Sequence, residues 1–466
     1  MDMKTTPTEY AQENQAVHLA ELIEFLKIPS ISTQPEHDAD VVAAAEWMAA
    51  AMRQAGIENV RLIETPRHPL IYGDWLHAGP DVPTVLIYGH YDVQPPDPLE
   101  LWQSPPFEPV MVDDFLVARG SSDDKGQAYI HVKAVQAYLQ SNNPAANGRL
   151  PVNVKFIIEG EEEIGGASLE AFIPENKDLL AADVALVSDT AILSPEQPAI
   201  VYGLRGLCYV LMDITGPDHD LHSGSFGGGV NNPINAAAHI IAKLKDENGR
   251  VLIPGFYDKV RPLSADEREI LRQFPLDEDK WLQNAGAPQL WGEPEFSLAE
   301  RIGARPTLDV NGITGGYTGA GRKTVLPSTV HVKVSMRLVP DQDPYEIGDL
   351  FRGYVESIAP PSVTIKIDAS SNSPASITDY TVPAMRAASA AYEQVFGKKP
   401  VYMREGGSIP VVAAFQTHLG LETVLMGFGL PTDRIHSPNE RFYIPNFYKG
   451  IQTSIYFLAE YARLSE

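Results

Sequence analysis

Cysteine is almost absent from this chain of 466 residues: Cys208 is the only one. No intrachain disulfide can form, which fits a reducing compartment such as the cytoplasm. Positive charge is scarce as well. Lys and Arg number 36 against 61 Asp and Glu, a formal net charge of −25. So acidic a surface repels phosphate backbones and argues against a nucleic-acid partner. Long apolar runs are missing: nothing approaches the roughly 18 consecutive apolar residues of a membrane span. The stretch MDMKTTPTEYAQENQ lacks the apolar core of a signal peptide. Neither G-x-x-x-x-G-K-[ST] nor a G-x-G-x-x-G at a strand–helix junction occurs, which disfavours a nucleotide enzyme. The expectation is a soluble, cytoplasmic, globular protein without membrane partners.

What is present is a hydrophobic fraction of 44%, ample for a sizeable core. Residues 16–28 and 40–55 read as helices, stopped by Pro29 and Gly56. Strand-like runs follow at 59–63, 70–75 and 84–88, then a helix within 121–140, then strands within 152–163 and 183–190. Such alternation indicates an α/β layered domain. After Gly206 the pattern changes. Strand 207–215, helix 232–246, strand 329–339, helix 343–358 and strand 362–368 fit a small ferredoxin-like α+β sandwich with an insertion. In TVHVKVSMRLV, Val330, Val332, Val334, Met336 and Leu338 share one face. Helix and strand signals resume near 380, and 247–306 receives no assignment. The expected layout is a discontinuous domain, 1–205 with 380–466, carrying an inserted domain, 206–379.

Four strand ends carry the same punctuation: His90 and Asp92 in VLIYGHYDVQP, Asp123 and Asp124 in SSDDKG, Glu159 and Glu161 to Glu163 in IIEGEEE, and Asp189 in VSDT. Each alone reads as a polar loop. Together they differ, because the ends of parallel strands lie side by side and sites collect there. Converging carboxylates repel one another unless cations neutralise them. Histidine and carboxylates without thiolates suit zinc, manganese or cobalt. The carboxylates outnumber the needs of one ion, and two ions sharing a bridging carboxylate would use them. His436 in DRIHSPNER is the candidate second histidine.

The order H-x-D, SSDDKG, EGEEE-x-GG, SDT, IHSPNE, with YGLRG, DLHSG, RLVP and REGGSIP between, resembles the dizinc metallopeptidases that include carnosinase and cytosolic nonspecific dipeptidase. The likeness runs from about residue 16 to the C-terminus and is weak over 247–306. It implies a mixed-sheet α/β catalytic domain with a dinuclear metal site and an inserted ferredoxin-like lid and dimerisation domain. It implies His90 and Asp189 on one metal, Glu163 and His436 on the other, and Asp123 bridging. Asp92 would fix the tautomer of His90. Four glutamates in a row leave the register open; aligning Gly165 with the family motif makes Glu162 the general base and Glu163 the ligand. The resemblance also implies a cis peptide between Asp123 and Asp124.

Taken alone, His222 in DLHSG reads as a surface-loop residue and Arg337 as part of a solvated strand face. The resemblance gives them other roles. His222 and Thr324 would reach the active site of a neighbouring subunit in a homodimer, His222 stabilising the oxyanion. Arg337 and Ser408 would hold the substrate's terminal carboxylate. The expected cofactors are two divalent ions, zinc first, with manganese or cobalt as alternatives. The expected activity is hydrolysis of dipeptides. The alternatives are an amidase acting on N-acyl amino acids and an inactive binding homologue. Asp189 favours the peptidase, because acylase-type relatives often carry glutamate there.

Overall fold

The computed structural model describes residues 5–141 and 148–465. It divides into two compact units. One comprises Met1–Tyr202, Thr378–Tyr402 and Pro410–Glu466; the other comprises Gly203–Ile377 and Met403–Ile409. The first opens with helices at Pro7–Glu13 and Gln15–Leu26, the latter expected at 16–28, and goes on with α1 (Asp38–Ala55), β1 (Glu58–Ile63), β2 (Leu70–Trp75), β3 (Thr84–His90), α2 (Lys125–Gln140), β4 (Asn153–Glu159) and β5 (Val184–Val187). The second contains β6 (Gly206–Thr215), α3 (Pro233–Ile241), β7 (Thr307–Gly315), β8 (Thr329–Leu338), α4 (Pro344–Ile358) and β9 (Thr364–Ser373). The chain then returns to the first unit with α5 (Pro383–Phe396), β10 (Thr423–Leu425) and α6 (Ile444–Leu464).

The first unit is a mixed sheet flanked by helices. In α1, Val41, Ala44, Ala45, Met48, Met52 and Ala55 recur at helical spacing and are buried, the stripe a helix needs against a sheet. Gly56, at φ 95°, closes that helix in the left-handed region, which glycine enters without a Cβ penalty. The strand order runs β1-β2-β4-β3-β5-β10 and continues with the strand Ala199–Leu204, where Val201 pairs with Leu425. β3 is parallel to β4 and β5, with Tyr88 opposite both Ile157 and Val187, and His90 opposite Glu159. Three carboxyl ends therefore stop side by side. β3 and β4 are buried almost throughout, as strands covered on both faces must be.

The second unit holds an antiparallel sheet of order β7-β8-β6-β9. Val330, Val332, Val334, Met336 and Leu338 all point into its core, against Ala237 and Ile240 of α3 and Phe351 and Val355 of α4. The alternation read in 329–339 is thus a half-buried strand. β7 has no counterpart in the sequence reading. A register shift between Val310 and Gly312 breaks its alternation, which hides the period of two on which such a reading depends. The unassigned 247–306 stretch forms short helices at Ala265–Gln273, Glu278–Ala285 and Leu298–Gly303, capped by Ser264, Asp277 and Ser297. Among the described residues, no helix is long and apolar enough to cross a membrane.

Two glycines let α2 start close to the end of β3. A methyl group at Gly89 would lie 2.6 Å from the Ala128 Cβ. One at Gly126 would strike the Ser121 carbonyl and come within 2.8 Å of the Phe442 ring. Neither clash is relieved by a rotamer change at the glycine. Gly126→Ala should therefore destabilise the fold by about 1–3 kcal/mol, the usual cost of overpacking. Urea unfolding measures it, and an unchanged midpoint would contradict the tight seating of this turn.

Candidate metal centre

The site is assembled from the three parallel strand ends and two loops of the first unit. His90 is the last residue of β3 and is fully buried. Its Nδ1 faces the Asp92 carbonyl oxygen at 3.1 Å and the Asp92 Oδ1 at 3.3 Å. Its Nε2 faces Asp123 Oδ1 at 3.1 Å. With the Nδ1 proton directed at Asp92, Nε2 is the nitrogen that would offer its lone pair to a cation once the proton it shares with Asp123 is displaced. Asp92 is itself anchored. It accepts hydrogen bonds from the Ser32 hydroxyl at 2.7 Å and from the backbone N–H groups of Glu162 and Glu163 at 3.3 and 3.1 Å.

Asp123 lies in the turn before α2, and its peptide bond to Asp124 is cis. Its second oxygen, Oδ2, is 2.9 Å from His436 Nε2. The same nitrogen is 3.3 Å from Glu163 Oε2, which also accepts from Gln94 Nε2 at 2.7 Å. Two groups of potential ligands result: His90, Asp123 and Asp189, and Asp123, Glu163 and His436. Within each, the donor atoms lie within 4.8 Å of one another. Asp123 is common to both. Glu162 belongs to neither; it lines a small cavity with Tyr88, Glu159 and Leu169.

Without cations the electrostatics are strained in the direction expected for like charges. Burial, with Asp123 and Asp124 reinforcing it, holds the Asp189 carboxyl well above the usual range. Burial likewise pushes Glu162 up to about 7, His90 opposing and Glu163 reinforcing. Hydrogen bonds to Asp123 and Glu163 raise His436 to about 10. Burial works to raise Asp123, but hydrogen bonds from His436 and His90 outweigh it and lower its pKa. Protons thus stand where positive charge is needed. The donor set is all imidazole nitrogen and carboxylate oxygen, arranged around one shared carboxylate, and it fits a pair of divalent ions.

The remaining sequence-derived residues lie in the second unit. His222 is exposed, its Nδ1 accepting from the Gly224 N–H at 3.1 Å. It neighbours Thr324, whose carbonyl accepts from the Ser223 N–H at 3.1 Å. Arg337 is half-buried on β8, opposite Leu207 and Thr307, on the face away from the apolar core. Ser408 is half-buried in the loop that follows Glu405. The sequence reading missed Gln94 and Glu440. Gln94 follows the H-x-D pair within the same loop. Glu440 closes the IHSPNE motif, and its only advance signal is a charged residue beside a candidate ligand.

A histidine–carboxylate centre at the ends of parallel strands, with a carboxylate common to two ligand groups, is the architecture of a dinuclear metalloenzyme. The chain matches Peptidase family M20/M25/M40 over residues 86–460 and belongs to that family. It is 32% identical over 458 residues to the Cys-Gly metallodipeptidase dug1 of Schizosaccharomyces pombe, covering 94% of each chain. It is 32% identical over 409 residues to the Beta-Ala-His dipeptidase of Homo sapiens, covering 86% of this chain and 78% of that one. An M20 family metallo-carboxypeptidase from Sulfolobus solfataricus superposes with a TM-score of 0.84 at 34% identity, covering 96% of this chain and 99% of the other.

The raised pKa of His436 gives a prediction with a definite sign. In metal-free protein at pH 8 this histidine is protonated, and a cation must displace that proton to bind. Loading with divalent ions should release protons, and apparent affinity should climb as pH rises toward about 10. Calorimetry in buffers of different ionisation enthalpy reads both. Binding without proton release would contradict this charge assignment.

Proposed function

We propose that the chain is a metal-dependent dipeptidase using two divalent ions, zinc first, with manganese or cobalt as alternatives. The observation that carries this reading is the sharing of Asp123 by two ligand groups, with Glu162 beside them and outside both. His90 and Asp189 would hold one ion, Glu163 and His436 the other, and Asp123 both. The ions would supply Lewis acidity toward the scissile carbonyl and toward a water. Glu162 takes the proton of that water and delivers it to the leaving amine. Its pKa of about 7 in the metal-free site reflects a buried carboxylate among others, and nearby cations would draw it down. Asp92 keeps the Nδ1 proton of His90 in place, so that Nε2 remains the ligand atom.

The proposal extends to the rest of the chain. Residues 1–205 and 380–466 form the catalytic domain, apart from Met403–Ile409, which belong to the second unit, and 206–379 form a ferredoxin-like lid and dimerisation domain. Support for that label comes from the order β7-β8-β6-β9, with α3 following the first strand and α4 the third. His222 and Thr324 serve the neighbouring subunit of a homodimer, and Arg337 and Ser408 hold the substrate's terminal carboxylate. The protein works in the cytoplasm. The names of the yeast and human relatives favour dipeptides over N-acyl amino acids. The likeness to a metallo-carboxypeptidase adds a second reading, removal of C-terminal residues from longer peptides. An assay of metal-reloaded protein on dipeptides, N-acetyl amino acids and longer peptides separates the three.

Glu162→Gln should keep both ions and lose turnover by roughly 10²–10⁴-fold, the usual worth of a positioned base. Glu163→Gln should instead lower metal content. Metal analysis showing the reverse would place the register wrong by one residue. The dimer has its own test. Inactive His222→Ala protein is mixed with inactive Glu162→Gln protein under conditions that exchange subunits. In the mixed dimer, the site with wild-type Glu162 belongs to the His222→Ala chain and receives an intact His222 from its partner, so activity should return. Exchange without recovery would show that His222 does not act across the dimer.

A further inference from the structure

Glu440 is completely buried and accepts four hydrogen bonds, all from one turn. Its Oε1 takes the backbone N–H groups of Ser122 at 3.0 Å and Asp123 at 3.1 Å. Its Oε2 takes the Gly120 N–H at 3.0 Å and Arg119 Nη1 at 2.7 Å. Its own carbonyl accepts from the Ala118 N–H at 3.1 Å. One side chain therefore fastens the turn that presents Asp123 to the loop that presents His436.

That loop needs fastening. Arg434, His436 and Asn439 have φ of 58°, 58° and 64°, a region that side chains other than glycine enter only when their surroundings hold them there. The surroundings are polar ties to the Asp123 turn and to the loop at Leu101–Gln103. Asp433 Oδ2 accepts from the Ser122 hydroxyl at 2.9 Å. The Asn439 side chain accepts from the Gln103 N–H at 2.7 Å and donates to the Leu101 carbonyl at 2.8 Å. Glu440 differs from these ties in reaching the Asp123 backbone itself.

We propose that Glu440 is a positioning residue of the metal centre, setting the distance between Asp123 and His436 without being a ligand. The inference rests on Asp123 and His436 being ligands. All four partners of Glu440 are donors, so the site calls for a carboxylate. A glutamine there would offer one acceptor oxygen and turn two N–H groups toward donors. Outer residues of this kind are commonly worth tenfold to a hundredfold in metal affinity.

The test uses the full-length protein, stripped of metal and titrated with Mn²⁺. Calorimetry gives the stoichiometry and the two affinities; electron paramagnetic resonance reports whether the two ions are coupled through a shared ligand. Wild type should bind two ions with a coupled signal. Glu440→Gln should keep the tighter site within about threefold, weaken the other by about tenfold or more, and lose the coupled signal. Glu440→Asp should recover part of both. A role confined to fold stability would lower the melting temperature and leave coupling intact. Wild-type affinities with wild-type coupling in Glu440→Gln would overturn the proposal, whatever its melting temperature. Fewer than two ions in wild type would overturn the ligand assignment and this inference with it. Should Glu440→Gln fail to fold, Arg119→Gln decides. It removes one of the four donors and should weaken the same site, and unchanged binding and coupling would overturn the proposal.

Discussion

Asp92, Asp123, Glu162, Glu163 and Asp189 crowd around one buried histidine, and most of the site's features answer that crowding. In water each of these carboxyls would ionise near pH 4. Removed from water and set beside one another, they cannot all stay charged without compensation. Three kinds of compensation are present. Backbone N–H groups stabilise Asp92. Protons are retained by Asp189, Glu162 and His436. The third would be cations held by the two sets of donor atoms that converge on Asp123. The first is permanent. The second and third are interchangeable, so metal and proton would compete for this site.

The sheet converts distant positions in the sequence into neighbours. β3, β4 and β5 run parallel and in close register, so residues just past Tyr88, Ile157 and Val187 emerge together. Parallel pairing requires long crossovers, and these carry the other parts of the site. The crossover after β3 contains the Asp123 turn, and α2 returns the chain beneath the sheet. Gly89 and Gly126 permit the approach of that turn to the strand end. The chemistry thus depends on packing details where no ligand is present.

Much of the candidate site was legible because residue types suited to holding a metal announce themselves. Histidine and carboxylate at the end of a buried apolar run are out of place unless they have work to do, and the fold brings His90, Asp123, Asp189, Glu163 and His436 into two groups of adjoining donor atoms. Legibility fell where a residue's type carried no such signal. Glu440 looked like one more surface charge in a polar loop, yet it is among the most buried acidic groups in the molecule. Its importance lies in backbone donors that only the fold brings to it. β7 was invisible because a bulge interrupts its alternation, and the helices of 247–306 are short and held by their caps. Pattern reading works best over long windows with an unbroken period; the helices of 247–306 are too short for the one and the bulged β7 lacks the other.

The two sides of Asp123 are unequal, and this bears on how the centre would behave. His90 is fully enclosed, held by Asp92 and by β3. His436 is 53% exposed and sits in a loop whose backbone is unfavourable by itself. An ion on the His90 side would find ligands set by the sheet. An ion on the His436 side would find ligands set by loop contacts, and those contacts would have to form for the site to exist. Loops open locally at far lower free energy than core strands, so the outer ion would exchange more readily and be the first lost to chelators. The buried carboxylate of Glu440 lies at the junction of these two regimes. It ties the loop that carries His436 to the turn that carries Asp123, and it does so with charge-assisted hydrogen bonds, which among neutral and ionised pairs are the strong ones. The architecture therefore concentrates its strongest polar fastening where the fold alone gives least.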